Sequence, residues 1–126
     1  MTNAPGTKRI LCIEDNPDTC KLVANVLPDF AVYSAAGVTD GWRLYNETKY
    51  SLVIVDYRLS DGNGIELCER IRSQDYLTPV IFITGDPKLT ESDVRIAGGQ
   101  RLIRKGTPTF VDELYASAKG LSVSTR

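Results

Sequence analysis

Three short, exclusively apolar runs constrain the fold of this chain more than any other feature. They occupy residues 10–13, 52–55 and 80–83, and each has the length of a short strand. Strands that are apolar at every position are typical of a parallel sheet covered on both faces. Two further strands, at residues 30–33 and 102–103, are shorter or flanked by charge, and we expect Arg101 and Arg104 beside the last one to be solvated. These two strands are predicted at the sheet edges.

Amphipathic stretches separate the strands and predict five helices. Asn16 and Pro17 are typical of an N-cap followed by proline at the first helical position, and Pro28 closes that helix. The fourth helix is predicted at residues 88–97. Apolar residues recur at helical spacing in the other four helices: Leu22, Val23, Val26 and Leu27; Val38, Trp42 and Tyr45; Ile65, Cys68 and Ile71; and Phe110, Val111, Leu114, Tyr115 and Ala118.

Alternating strands and helices predict an α/β fold. We expect a flavodoxin-like, doubly wound, five-stranded parallel sheet of order 2-1-3-4-5 with five helices. The domain is predicted at residues 8–120, between a disordered N-terminal tail at 1–7 and a C-terminal tail at 121–126.

Composition excludes several classes of protein. The 126 residues are 42% hydrophobic and 25% charged, as in a globular domain, and the net charge is −1. The sequence has no histidine, which excludes Ser-His-Asp catalysis, Cys-His catalysis and histidine-ligated zinc. Three cysteines without a CxxC pair favour a reducing compartment. Because neither a signal peptide nor a membrane-spanning run is visible, we expect a cytoplasmic protein that does not contact a membrane.

Chemically active residues follow four of the five predicted strands. Glu14 and Asp15 follow the first strand, Asp56 the third, Thr84 the fourth and Lys105 the fifth. Parallel strands lie about 4.8 Å apart, and their carboxyl ends share one edge of the sheet. We therefore expect these side chains to converge.

Three clustered carboxylates repel one another and favour a bound cation. A site built from oxygen donors selects a hard ion such as Mg²⁺. Lys105 and Thr84 suit phosphoryl oxygens, and Gly85 leaves the adjacent backbone N–H uncrowded, so that this residue can tune the site. Because aspartate forms aspartyl phosphates, the cluster predicts an Mg²⁺-dependent phosphoryl acceptor.

The order and spacing of these residues resemble the receiver domain of two-component response regulators, of the chemotaxis-regulator type, over about residues 8–120. The matching elements are Glu14 and Asp15, Asp56 in LVIVDYRLSDGNGIEL, Thr84 in PVIFITG and Lys105 in GGQRLIRK. This resemblance implies a phosphorelay component in signal transduction rather than an enzyme.

The resemblance also implies roles for the site residues. Asp56 would accept a phosphoryl group from a phosphohistidine on a sensor histidine kinase or histidine phosphotransfer protein. Asp15, Asp56 and the backbone carbonyl of Arg58 would ligate Mg²⁺, while Glu14 would act through water. Lys105 would pair with the phosphoryl group.

Further positions would switch or tune the domain. Thr84 would move toward the phosphoryl group and change the face formed by the fourth helix, fifth strand and fifth helix, for a downstream protein or a missing effector domain. Its usual aromatic partner is replaced by Leu102, and the proline that usually follows the lysine is replaced by Gly106. Arg58 and Asp86 would tune dephosphorylation, and their opposite charges suggest an ion pair that covers the phosphoryl group.

Three alternative functions would each require a recognisable sequence feature. An Mg²⁺-dependent phosphatase with an aspartate nucleophile would share this chemistry but would commonly carry a DxD pair on its first strand. A flavodoxin-like cofactor binder would need a phosphate loop where Glu14 and Asp15 stand. A direct DNA regulator would need a helix-turn-helix and a basic face, so we expect no direct contact with nucleic acid.

Overall fold

The computed structural model describes residues 7–123, and the elements within them alternate between strands and helices. In chain order they are β1 (Arg9–Ile13), α1 (Pro17–Val26), β2 (Ala31–Ala35), α2 (Val38–Glu47), β3 (Leu52–Asp56), β4 (Arg58–Leu59), β5 (Gly62–Asn63), α3 (Gly64–Arg72), β6 (Val80–Thr84), α4 (Glu91–Ala97), β7 (Arg101–Arg104) and α5 (Phe110–Leu121).

Five of these strands form one parallel sheet in the order β2-β1-β3-β6-β7. Since β6 and β7 are its fourth and fifth strands along the chain, the predicted order 2-1-3-4-5 is confirmed. The shorter strands β4 and β5 form a separate antiparallel hairpin, which was not predicted from the turn residues between Asp56 and α3.

Alternation along the sheet strands divides the core into two layers. Leu11 and Ile13 face a layer covered by α2, α3 and α4, whereas Ile10 and Cys12 face a layer covered by α1 and α5. Strands β3 and β6 are buried at every position, as predicted for the middle of the sheet. The helices on both faces leave the carboxyl edge of the sheet open for a site.

Three helix predictions were wrong in detail. Val111 and Tyr115 on α5 are each 43% exposed, because Phe110, Leu114 and Ala118 occupy the side of that helix that faces the core. Leu22 is 41% exposed, because Val23 on α1 and Leu27 directly after that helix face the core, and Leu22 therefore lies outside the buried side of the helix. Helix α4 starts at Glu91 rather than at residue 88, because Thr90 and Asp93 form a capping box: the Thr90 Oγ1 accepts a bond from the Asp93 N–H, and the Asp93 carboxylate accepts one from the Thr90 N–H.

The C-terminal helix continues one residue past the predicted limit of the domain, to Leu121. The chain then stays close to the sheet, since the Val123 N–H donates to the Ser51 carbonyl at 3.0 Å and the Lys8 Nζ donates to the Ser122 carbonyl at 3.3 Å. Residues 1–6 and 124–126 of the predicted tails lie outside the described residues. Within residues 7–123, no helix combines the length and the apolar composition that a membrane span requires.

Candidate functional site

The predicted cluster of carboxylates is present at the carboxyl edge of the sheet. Asp56 is the last residue of the central strand β3, and Glu14 and Asp15 follow the neighbouring strand β1. One carboxylate oxygen from each of the three residues lies within 4.8 Å of the other two. Thr84 ends β6, and Lys105 directly follows β7, so all four predicted strand ends meet here.

Lys105 holds two of the carboxylates together. Its Nζ lies 2.5 Å from the Glu14 Oε1 and 2.9 Å from the Asp56 Oδ2. Glu14 is only 2% exposed and Asp56 only 7% exposed, so each would be costly to bury without a counter-charge. Burial lowers the pKa of Lys105, but its bonds to Glu14 and Asp56 outweigh burial and raise that pKa above its usual value. The ammonium therefore stays charged near neutral pH.

Asp15 differs from the other two carboxylates because it is exposed. Its pKa is raised, first by a hydrogen bond with Glu14 and then by a partial loss of hydration and the negative charge of Glu14. This direction is expected where carboxylates crowd one another. An added cation would relieve that repulsion.

The turn after β1 fixes Glu14 through backbone groups. The Glu14 N–H donates to the Ala35 carbonyl at 2.9 Å, extending the pairing of β1 with β2. The Glu14 Oε2 accepts the Asn16 N–H at 3.1 Å. Asn16 caps α1, as predicted, by accepting the Asp18 N–H at 2.9 Å. The helix cap and the buried carboxylate therefore share one turn.

Gly64 is a site residue that the sequence analysis did not identify. A Cβ on Gly64 would lie 2.5 Å from the Asp56 carbonyl oxygen and 3.1 Å from the Phe82 ring. The Gly64 N–H also donates to the Tyr57 carbonyl at 2.8 Å. Helix α3 can therefore begin against the backbone of Asp56 only because residue 64 lacks a side chain. The signal in the sequence was a glycine eight residues after the acidic strand end.

Thr84 is almost completely buried, at 1% exposed, and its hydroxyl is already engaged. The Thr84 Oγ1 accepts the Asp86 N–H at 2.9 Å, and the Thr84 carbonyl accepts the Lys105 N–H at 2.9 Å. Thr84 thus links the loop after β6 to the residue that binds the carboxylates.

Arg104 was predicted to be solvated, and that prediction was wrong. Its Nη1 donates to the Asp86 carbonyl at 2.8 Å, and its Nη2 donates to the Leu89 carbonyl at 2.6 Å. These bonds join the end of β7 to the loop between β6 and α4. The accepting carbonyls lie 18 and 15 residues earlier in the chain, so only the tertiary structure brings them within reach of the Arg104 side chain.

The suggested ion pair between Arg58 and Asp86 is present. The Arg58 Nε lies 2.5 Å from the Asp86 Oδ2, with the Arg58 side chain 66% exposed and the Asp86 side chain 14% exposed. The Asp86 Oδ1 accepts the Lys88 N–H at 2.9 Å. The bond from the Lys88 N–H is the largest cause that lowers the pKa of Asp86, and the bond from Arg58 is the next largest. The pair joins the loop after β3 to the loop after β6.

The three remaining predicted site positions lie on β7 or in the loops that follow β6 and β7. Leu102, on β7, is half-buried and packs against the layer that contains α4. A Cβ on Gly85 would meet no atom within 4 Å, in agreement with the expected open space. Gly106 has a φ of +76°, a left-handed conformation that favours glycine directly after Lys105.

Comparison with known families decides the assignment of this fold and site. The model of the response regulator receiver domain matches residues 10–111, which include every strand end described above. The chain belongs to this receiver domain family. Its predicted relation to two-component signal transduction is therefore confirmed at the level of the family.

Curated relatives and a solved structure agree with this assignment. This receiver domain is 35% identical over 122 residues to response regulator RppA of Synechocystis, covering 90% of this chain and 50% of the relative. It is 31% identical over 118 residues to the transcriptional regulatory protein TcrA of Mycobacterium tuberculosis, covering 90% of this chain and 46% of the relative. A CheY-like receiver domain protein from Methanospirillum hungatei superposes with a TM-score of 0.82 at 25% identity, covering 90% and 92% of the two chains. The chain spans about half the length of these curated relatives.

Proposed function

We propose that Asp56 accepts a phosphoryl group from a phosphohistidine on a sensor histidine kinase or histidine phosphotransfer protein. An Asp56 carboxylate oxygen would form the new O–P bond while the P–N bond breaks, and the departing imidazole would recover a proton from solvent. The observation that carries the proposal is the position of Asp56, which ends the central strand 2.9 Å from the Lys105 ammonium and beside two further carboxylates.

The donor set of the site fits Mg²⁺. Its clustered ligand atoms are carboxylate oxygens from three residues, and hard cations prefer such donors. We propose that Asp15, Asp56 and the Arg58 carbonyl hold the ion directly and that Glu14 acts through water. The bound ion would neutralise charge on the phosphoryl oxygens and on the crowded carboxylates.

Lys105 and Thr84 would sense the phosphoryl group. The Lys105 ammonium already contacts the acceptor carboxylate, so it needs only a small movement to pair with a phosphoryl oxygen. The Thr84 hydroxyl accepts the Asp86 N–H and keeps its own proton free, so it could donate that proton to a phosphoryl oxygen by moving toward Asp56. That movement would alter the loop before α4 and hence the face of α4, β7 and α5, where a downstream protein or effector domain would bind.

Incubation with acetyl phosphate and Mg²⁺ tests the proposal. Intact-protein mass spectrometry should detect one added phosphoryl group, which chelation of Mg²⁺ and the Asp56→Asn variant should each abolish. Asp112→Asn, which removes an exposed carboxylate from α5, serves as the control and should be labelled like the wild type. Labelling of Asp56→Asn at the wild-type level would reject Asp56 as the acceptor.

A separate turnover assay with a generic phosphomonoester distinguishes a receiver from an aspartate-based phosphatase. A receiver should form the acyl phosphate once and release phosphate slowly. Sustained multiple turnover of a generic phosphomonoester would instead support the phosphatase alternative.

A further inference from the structure

A groove between α3 and α4 opens beside the phosphoryl-acceptor site, since Tyr57, which directly follows Asp56, is one of its lining residues. It has a volume of about 320 Å³, and its other apolar lining residues are Ile65 on α3, the buried Leu89 in the loop before α4, and Ile96 and Ala97 on α4. Ile96 is 82% exposed, although the preceding Val94 and the following Ala97 are buried. A large aliphatic side chain is therefore presented to solvent at the rim of a concave surface.

The walls of this α3–α4 groove are held in place by bonds between the two helices. The Cys68 Sγ donates to the Ala97 carbonyl at 3.3 Å, and the Arg72 Nε donates to the Gly98 carbonyl at 2.9 Å. The opposite end of α4 is fixed by its capping box at Thr90. A groove with fixed walls requires little ordering when a ligand binds, which favours affinity.

The charged side chains that line the groove are all acidic. Glu66 and Glu69 line it from α3, and Asp93 lines it from α4. Among residues 7–123, no lysine or arginine lines the groove, and none forms an ion pair with these three carboxylates. Apolar side chains flanked only by carboxylates are complementary to a ligand with the opposite charge and an apolar centre.

We propose that this groove binds a cationic amphipathic helix of a partner protein. One large apolar side chain of that helix would pack against Ile65, Leu89 and Ile96. Lysine or arginine residues one turn to either side would pair with Glu69 and Asp93. Insertion of a helix between two helices is a common form of recognition, and the volume of the groove accommodates one or two side chains. This binding requires no phosphoryl group.

A displayed library of helical peptides with randomised surface positions tests the proposal on the unphosphorylated protein. Peptides that bind the wild type should be enriched in a large apolar residue flanked at helical spacing by lysine or arginine. Binding of the resulting soluble peptides is then measured by fluorescence anisotropy, and their contacts are mapped from ¹⁵N–¹H chemical shifts.

Matched surface variants locate the contact. Ile96→Ser removes the exposed apolar side chain and Glu69→Gln removes one carboxylate, and each should weaken binding about tenfold. Asp112→Asn removes the same charge from α5 and should leave the affinity within about twofold of the wild type, because it lies outside the groove. The proposal is overturned if no peptide binds, if the selected peptides lack basic residues, or if Ile96→Ser and Glu69→Gln bind as tightly as the wild type.

Discussion

The Arg58 guanidinium binds the Asp86 carboxylate across the carboxyl edge of the sheet, with Nε 2.5 Å from Oδ2. These residues lie two positions after Asp56 and two positions after Thr84. The same guanidinium lies 5.3 Å from the centre of the Tyr57 ring. The pair therefore bridges the loop after β3 and the loop after β6, beside the Asp56 carboxylate that we propose as the phosphoryl acceptor.

Arg58→Ala should shorten the lifetime of phosphorylated Asp56 by a few fold. The truncated side chain would no longer obstruct water, although an exposed ion pair by itself contributes little to stability. The lifetime is measured from the loss of label after the donor is removed. Arg43→Ala is the control, because it removes an exposed arginine that pairs with Glu47 on α2. An unchanged lifetime in Arg58→Ala would show that the pair does not protect the phosphoryl group.

Arg104→Ala should destabilise the domain by about 2 kcal/mol, because it removes two charge-assisted bonds to backbone carbonyls. The urea midpoint should fall while the slope of the transition stays constant. Amide exchange in the loop between β6 and α4 should also accelerate. Arg101→Ala alters an exposed arginine on the same strand and should change stability little. Equal midpoints for the two variants would contradict an anchoring role for Arg104.

Gly64→Ala should destabilise the domain by about 1–3 kcal/mol and slow phosphorylation of Asp56. The added Cβ would press on the Asp56 carbonyl oxygen, a backbone atom that cannot easily move. Gly120→Ala is a matched control, because it also replaces a helical glycine and the added Cβ meets no atom within 4 Å. The control should be stabilised by about 0.5–1 kcal/mol. Thermal unfolding of both variants is the measurement: destabilisation of Gly64→Ala alone would show a steric clash at residue 64, whereas destabilisation of both variants would show a general effect of replacing glycine by alanine.

Asp75→Asn should cost about 2 kcal/mol at pH 7 because of the bonds lost in the turn before β6. Partial burial raises the pKa of Asp75, but bonds from the Thr78 hydroxyl and N–H, the Tyr45 hydroxyl and the Leu77 N–H outweigh burial and lower that pKa.

A lowered folded-state pKa means that the ionised carboxylate stabilises the fold fully above about pH 4, the usual value in an unfolded chain. This contribution is lost as the pH falls through the lowered pKa. The difference in unfolding free energy between wild type and Asp75→Asn should therefore shrink in acid, as measured by urea titrations at several pH values. A difference that stayed constant down to pH 2 would exclude linkage to this carboxyl.

Local patterns were sufficient to predict the α/β fold and the set of residues that gather at the strand ends. The apolar runs at residues 52–55 and 80–83 are buried on both faces, so their burial could be predicted without knowledge of their neighbours. Because every strand of a parallel sheet points the same way, the residues at the strand ends had to meet at one edge. Asp56 and Lys105 could therefore be assigned to one site although 49 residues separate them.

Contacts between loops and between helices required the tertiary structure. Whether Arg104 reaches the Leu89 carbonyl, or Gly64 abuts the Asp56 carbonyl, depends on distances between segments that no local periodicity encodes. Helical spacing likewise could not show that Leu22 points away from the core, because the width of the covered stripe depends on how closely α1 packs against the sheet and α5. Alternation and chain direction specify which side chains share a face or an edge, whereas packing decides which of them touch.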